Sequence, residues 1–295
     1  MNFNKSLGFF LGVAVTLLLS SCGSSDKKKS ESQEFKDAQE SLQSTIAEVV
    51  YNIPSPTEIP YLIQQTGAEF NASLLNPRTN IDRYTSRTEK AALNLGAYTA
   101  DIGYLTSYDK TQEAIAYLEA CKLLADNLGV IGSFDLELLE KFEANIGNKD
   151  SLGALLDRTQ KQTERFLKDD ARNRLAALVV TGSFIEGLYI STGLVQSYPK
   201  DVLPANIREQ ILTPVIQVIL NQKKSVSELL KMLSALEQTD PVAELVRELQ
   251  ALESTYAAMD IDEQIKNNRG DLVLSDKNLT QISEIVAKMR KAITG

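Results

Sequence analysis

No histidine occurs anywhere in the 295 residues, which excludes Ser-His-Asp and Cys-His triads and every histidine-based metal site. Tryptophan is absent as well, aromatics reach only 6%, and glycine and proline are sparse at 15 and 8 residues. So few breakers, in a chain dominated by Leu, Ala, Glu, Lys and Gln, favour helix over sheet, and all-α is the expected class. A basic excess is also missing. The formal net charge of −8 argues against a nucleic-acid partner and against docking on anionic lipid through a basic face. There are two cysteines, Cys22 and Cys121, and if Cys22 is acylated Cys121 has no intramolecular partner for a disulfide. Cys121 lies in an apolar run over 116–125 and reads as a small buried hydrophobe.

What is present begins at the N-terminus. Residues 1–21 carry one positive charge at Lys5, an apolar stretch over 7–19, and small Ser20 and Ser21 before Cys22. This is the layout of a cleaved signal peptide, and the stretch is short for a membrane span. The run Leu19-Ser20-Ser21-Cys22-Gly23 resembles the lipobox of bacterial lipoproteins, in which the cysteine is acylated and becomes the new N-terminus. Three acyl chains, at about 0.8 kcal/mol per buried methylene, suffice for stable membrane attachment. Residues 22–34 then form a polar tether, with no apolar residue over 23–33. Lys5 is the only charge before Cys22, so the mature chain would carry −9.

The 43% hydrophobic content supports a single helical domain over 35–295. Apolar residues at helical spacing predict a helix over 34–50, and Ser55-Pro56-Thr57-Glu58 reads as a capping box that Pro60 would strain. A polar connection over 71–86, containing Asn76-Pro77, predicts a loop with at most one helical turn around Asp82. Further capping boxes at Ser86-Arg87-Thr88-Glu89 and at Asp109 with Gln112 open helices to about Ser107 and to about Leu128, the second closed by Gly129. Helices follow over 133–145, 151–167 and 172–196. Thr213-Pro214 and Asp240-Pro241 read as helix starts, running to about Leu236 and about Met259, and Ser275 starts a last helix. A small hairpin over 260–274 is the only plausible β content. Short connections predict an antiparallel multi-helix bundle or stacked helical hairpins, with no repeat period.

Two helices carry unusual chemistry. On the helix from Glu89, small residues Gly96, Ala100, Gly103 and Ser107 form one stripe, beside a polar and aromatic stripe of Asn94, Tyr98, Asp101, Tyr104 and Tyr108. On the helix from Arg172, Glu186 is the only charge over 175–194 and shares a face with Gly182, Tyr189 and Gly193. Carboxylates in such settings must be hydrogen-bonded within the protein, border a wet cavity, or carry a proton. Asp101, Tyr98, Tyr104, Glu186 and Tyr189 are therefore the candidate walls of a polar pocket for a small ligand or a hard cation, the alternative being a satisfied core. Acidic pairs alone can run hydrolysis when about 5 to 9 Å apart, so an acid pair is the one enzymatic option. No phosphate-binding glycine loop, Gly-x-Ser-x-Gly elbow or EF-hand is present, no catalytic residue, metal site or cofactor is indicated, and a non-enzyme is expected.

The segments 92–101 (Ala-Leu-Asn-Leu-Gly-Ala-Tyr-Thr-Ala-Asp) and 177–189, with Tyr51-Asn52-Ile53-Pro54-Ser55-Pro56, resemble a group of functionally uncharacterised helical lipoproteins from Bacteroidota. The resemblance implies an address and a helical fold and no activity. In some lipoproteins of that group an acidic cluster behind the cysteine directs export to the cell surface; here Asp26 is followed by Lys27, Lys28 and Lys29. The outer membrane's periplasmic face is the expected location, with the cell surface as the other option. The expected function is a membrane-anchored envelope protein that binds another protein or stabilises an assembly, with the ligand- or cation-binding pocket as the rival.

Overall fold

The computed structural model describes residues 52–130, 170–197, 205–259 and 277–295, together with six positions between 41 and 49. The expected signal peptide, Cys22, the tether, the helices over 133–145 and 151–167, and the hairpin over 260–274 lie outside the described residues. The described residues are all-α, with no strand among them. Nine α-helices are described: α1 Glu58–Gln65, α2 Ile81–Tyr84, α3 Thr88–Ser107, α4 Thr111–Asn127, α5 Asp170–Ser197, α6 Ala205–Leu220, α7 Lys223–Ser234, α8 Asp240–Ala258 and α9 Lys277–Thr294. Short 3-10 turns at Ala72–Leu74 and Arg78–Asn80 precede α2. Residues 39–295 form one compact unit, whose described part is an all-α helical bundle.

The bundle is organised around α3 and α5. α3 buries 15 of its 20 residues, so it has no solvent face and must be central. It separates two apolar clusters. Leu95, Tyr98, Ile102 and Leu105 pack with Tyr117, Leu118 and Leu124 of α4, whereas Ala92, Leu93 and Tyr104 pack into the larger cluster built with α5 to α9. α5 is long and apolar enough to cross a bilayer, yet 78% of its most apolar window is buried inside the body, the pattern of a core helix.

Glycine explains how close the two central helices lie. A Cβ on Gly96 would stand 1.9 Å from the Val179 carbonyl oxygen, and one on Gly182 would stand 1.8 Å from that of Leu93. The small stripe of α3 therefore does bring another backbone into contact. Farther along it, Gly103 meets the backbone of Pro56 and Thr57 ahead of α1.

Several expected helix starts are displaced, each for a local reason. Ser55 does not cap α1, whose N-cap is Thr57, but half of the box forms: the Ser55 N–H donates to Glu58 Oε2 at 3.3 Å. Pro60 sits in the first turn of α1, where its missing N–H would have had no helical partner. At α3 the N-cap is Arg87, not Ser86, because Ser86 Oγ donates to the Arg83 carbonyl and Glu89 pairs with Arg174 at 2.8 Å. At α4 the cap is Lys110, and Asp109 takes a left-handed φ of 57° that an N-cap does not use. Gly129 closes α4 as expected, at φ 68°.

Pro214 starts no helix. It lies inside α6 with its side chain exposed, while Leu212, Val215, Ile216 and Ile219 face the core, so the carbonyl that loses its bond is on the wet side. The break falls instead at Asn221 and Gln222, between α6 and α7. α8 begins at Asp240 behind the N-cap Thr239, with Pro241 in its first turn.

Candidate functional site

The polar chemistry of the core gathers where α3, α5 and α9 meet the connection between α1 and α3. Its centre is Asn76, a fully buried residue in an irregular segment. All four of its hydrogen-bonding groups are engaged. Its backbone N–H donates to Asp101 Oδ2 at 3.2 Å, and its carbonyl accepts from the Tyr117 hydroxyl at 2.9 Å. Its amide Nδ2 donates to Asn94 Oδ1 at 3.0 Å, and its Oδ1 accepts from the Tyr84 hydroxyl at 2.8 Å. The Tyr98 hydroxyl adds a bond to the next carbonyl, that of Pro77, at 3.2 Å. A segment without regular structure thus satisfies its buried backbone through side chains of α3 and α4, while Tyr84 of α2 holds the Asn76 side chain.

Asn94 extends this network to α9. Its Nδ2 donates to the carbonyls of Lys90 at 2.9 Å and Ile293 at 2.8 Å. The Thr294 carbonyl lies 3.2 Å from the Tyr84 hydroxyl, and Lys90 Nζ reaches the carbonyl of Gly295. The last carbonyls of α9, which no helical N–H can reach, are therefore received by donors from α2 and α3.

α9 also supplies the partner of Glu186. Arg290 donates from Nε and Nη2 to the two carboxylate oxygens, each at 3.2 Å, and its guanidinium carbon lies 4.5 Å from the Tyr189 ring centroid. The face shared by Glu186 and Tyr189 is thus covered by one guanidinium, with Glu186 1% exposed. Burial pushes the Glu186 carboxyl upward and Arg290 pulls it back, while the same pair raises Arg290 further.

Asp101 is worse provided for. It is completely buried, and among the described residues its Oδ1 has no hydrogen-bond partner and its only donor is the Asn76 N–H. Burial holds its carboxyl well above the usual range, the Glu186 charge adds to this, and Arg290 and the Asn76 N–H only partly offset it. Two carboxyl groups face one guanidinium in this cluster. Asp101, with the weaker partners, is the one whose protonated form burial favours more.

The five residues singled out by sequence are all in or beside the core, but not around one space. Asp101 and Tyr98 belong to the Asn76 network, and Glu186 and Tyr189 to Arg290. Tyr104 turns to another side: its hydroxyl accepts the Asn71 N–H at 2.8 Å and its ring stacks on Phe70 with centroids 5.0 Å apart. Sequence reasoning passed over Asn76, Tyr84, Tyr117 and Arg290. Arg290 had a signal, since it lies four residues after Val286 on the apolar face of α9; Asn76 had none beyond an Asn-Pro turn pair. Cys121 is buried on α4, and burial pushes its thiol up to about 12, so it is an inert packing residue. No group of acids and cysteines suited to a metal is found among the described residues.

No family model matches the chain, and neither the curated proteins nor the solved structures contain a match.

Proposed function

We propose that this chain is a lipid-anchored envelope protein whose helical body binds a partner protein through its surface. The observation that carries this reading is the internal pairing of most of the polar core: Glu186, Asn94, Asn76 and Tyr98 all bond to groups of the protein itself, which favours recognition on the outside. The lipobox-like run at Cys22 and the polar tether support the membrane anchor in this reading, with the periplasmic face of the outer membrane as the proposed location. Amine-reactive crosslinking in intact cells, followed by purification of the chain under denaturing conditions, is expected to recover one dominant protein adduct. Recovery of the uncrosslinked chain alone would count against partner binding.

One observation favours a second reading, a small cation held within the core, namely the unpartnered Oδ1 of Asp101. Thermal unfolding of the purified chain in sodium, potassium and calcium chloride at equal ionic strength tests it. A cation held there raises the melting temperature of the wild type and leaves Asp101→Asn unmoved; equal melting in all three salts dismisses it.

A further inference from the structure

The connection between α1 and α3 spans residues 66–87, and apart from two 3-10 turns and the single-turn α2 it has no regular structure. Connections of that length inside a compact domain are usually either functional or disordered. This one is fixed from below. Tyr104 receives the Asn71 N–H, Asp101 the Asn76 N–H, Tyr117 and Tyr98 donate to the carbonyls of Asn76 and Pro77, and Asn94 and Tyr84 hold the Asn76 side chain. Part of that fixation costs stability, because it leaves a buried acid half-satisfied on Asp101. Local arrangements that cost stability and order an exposed loop are a mark of preorganised binding surfaces.

What the fixed segment displays is positive. Arg78, Arg83 and Arg87 are exposed within ten residues, against one exposed acid, Asp82, on a chain whose net charge is −8. Among the described residues no carboxylate pairs with any of the three. Arg78 is also oriented in advance: its guanidinium lies 5.5 Å from the centroid of Tyr117, the ring whose hydroxyl holds Asn76, and Nη1 lies 3.4 Å from the Ala116 carbonyl. A guanidinium stacked on a ring presents its outer N–H groups in the fork that suits a carboxylate. Exposed Thr79, Thr85 and Ser86 lie among the arginines.

We infer that the exposed side of residues 72–87 is a preformed docking surface for an acidic, carboxylate-bearing segment of a partner protein. This rests on the partner-binding reading above and adds to it the surface and the chemistry of the partner.

A photoreactive residue placed at Thr79 in the full chain, expressed in its own cells, tests the inference against the same residue placed at exposed Gln250 of α8 and Gln281 of α9. The expected result is a protein adduct from position 79 alone, whose crosslinked peptide is rich in Asp and Glu. Combined Arg83→Glu and Arg87→Glu, which leaves the Arg78 contact with Tyr117 intact, is expected to lower the adduct yield about tenfold at unchanged melting temperature. Adding Arg78→Glu is expected to abolish it. Adducts from positions 250 or 281 and none from 79 would overturn this surface while leaving partner binding standing. No protein adduct from any position would remove both. An adduct with lipid, a partner peptide without acidic residues, or a yield indifferent to charge reversal would each overturn the docking surface.

Discussion

At the scale of single residues, the decisive feature is a charge imbalance: the buried Asp101 and Glu186 share one partly buried cation, Arg290. The consequence for pH follows from where the proton sits. An unfolded aspartate titrates near about 3.9, whereas Asp101 in the fold titrates well above that, so over the interval between the two values the native state holds a proton the unfolded state has lost. The contribution is therefore fully present below the unfolded value and declines as pH rises toward the folded one, by at most about 1.4 kcal/mol per pH unit. Asp101→Asn keeps an acceptor for the Asn76 N–H and removes the titration. Urea unfolding from pH 5 to 8 should show the wild type losing stability relative to the variant as pH rises; parallel curves would mean that Asp101 is not the proton holder. The Glu186–Arg290 pair behaves differently, because each ion neutralises the other. Arg290→Met should cost about 3 to 5 kcal/mol by stranding Glu186, and the double change Glu186→Gln with Arg290→Met should recover much of it. Additive losses in denaturant titrations would refute that coupling. Both acids stood out in the sequence because charges are rare in their helices, but which one would find a cation depended on α9, about a hundred residues further along than Glu186. Asn76 was harder still, since an Asn-Pro pair in a polar stretch is the same string whether the loop lies on the surface or is drawn into the core.

At the scale of elements, the sites of close approach are the ones most sensitive to a single methyl group. Gly96→Ala and Gly182→Ala would each place a carbon within 2 Å of a facing carbonyl oxygen on the other central helix, so α3 and α5 must move apart. The helix-propensity gain of about 1 kcal/mol cannot offset this, and a net loss of about 2 kcal/mol or more is expected for each. Gly187 is the control: its added carbon would meet Ile59 at 3.5 Å, an ordinary contact, so Gly187→Ala should raise the melting temperature. If all three variants melt alike, the crossing is looser than these distances state. The helices themselves were legible, because apolar periodicity is a property of the segment alone; α3, α5 and α8 end within two residues of where that periodicity stops. Their caps were not. Glu89 is drawn to Arg174 and Ser86 to a preceding carbonyl, so tertiary partners outcompete the local box. Pro214 lies inside a helix that it was expected to start: on its exposed face the carbonyl it orphans is on the wet side, which lowers the cost of a proline there.

At the scale of the whole molecule, the proposed anchor and the described body occupy different stretches of the sequence. The compact unit begins at Gln39, whereas Cys22 of the lipobox-like run lies 17 positions earlier, ahead of a stretch with no apolar residue over 23–33. Among the described residues, the apolar core runs from Ile46 to Ile293. Removing the acyl site should therefore change where the protein is without changing how stable it is. Expressed with its own N-terminus, the wild type should partition with membranes and leave them only in detergent, while Cys22→Ser should appear in the soluble envelope fraction. On the proposed anchoring, purified bodies from the two are expected to unfold at the same urea midpoint, because acyl chains supply membrane affinity. A Cys22→Ser chain that stays with the membranes would break the link between that cysteine and the envelope, and one that leaves them with a lowered midpoint would show that the segment ahead of Gln39 packs onto the body.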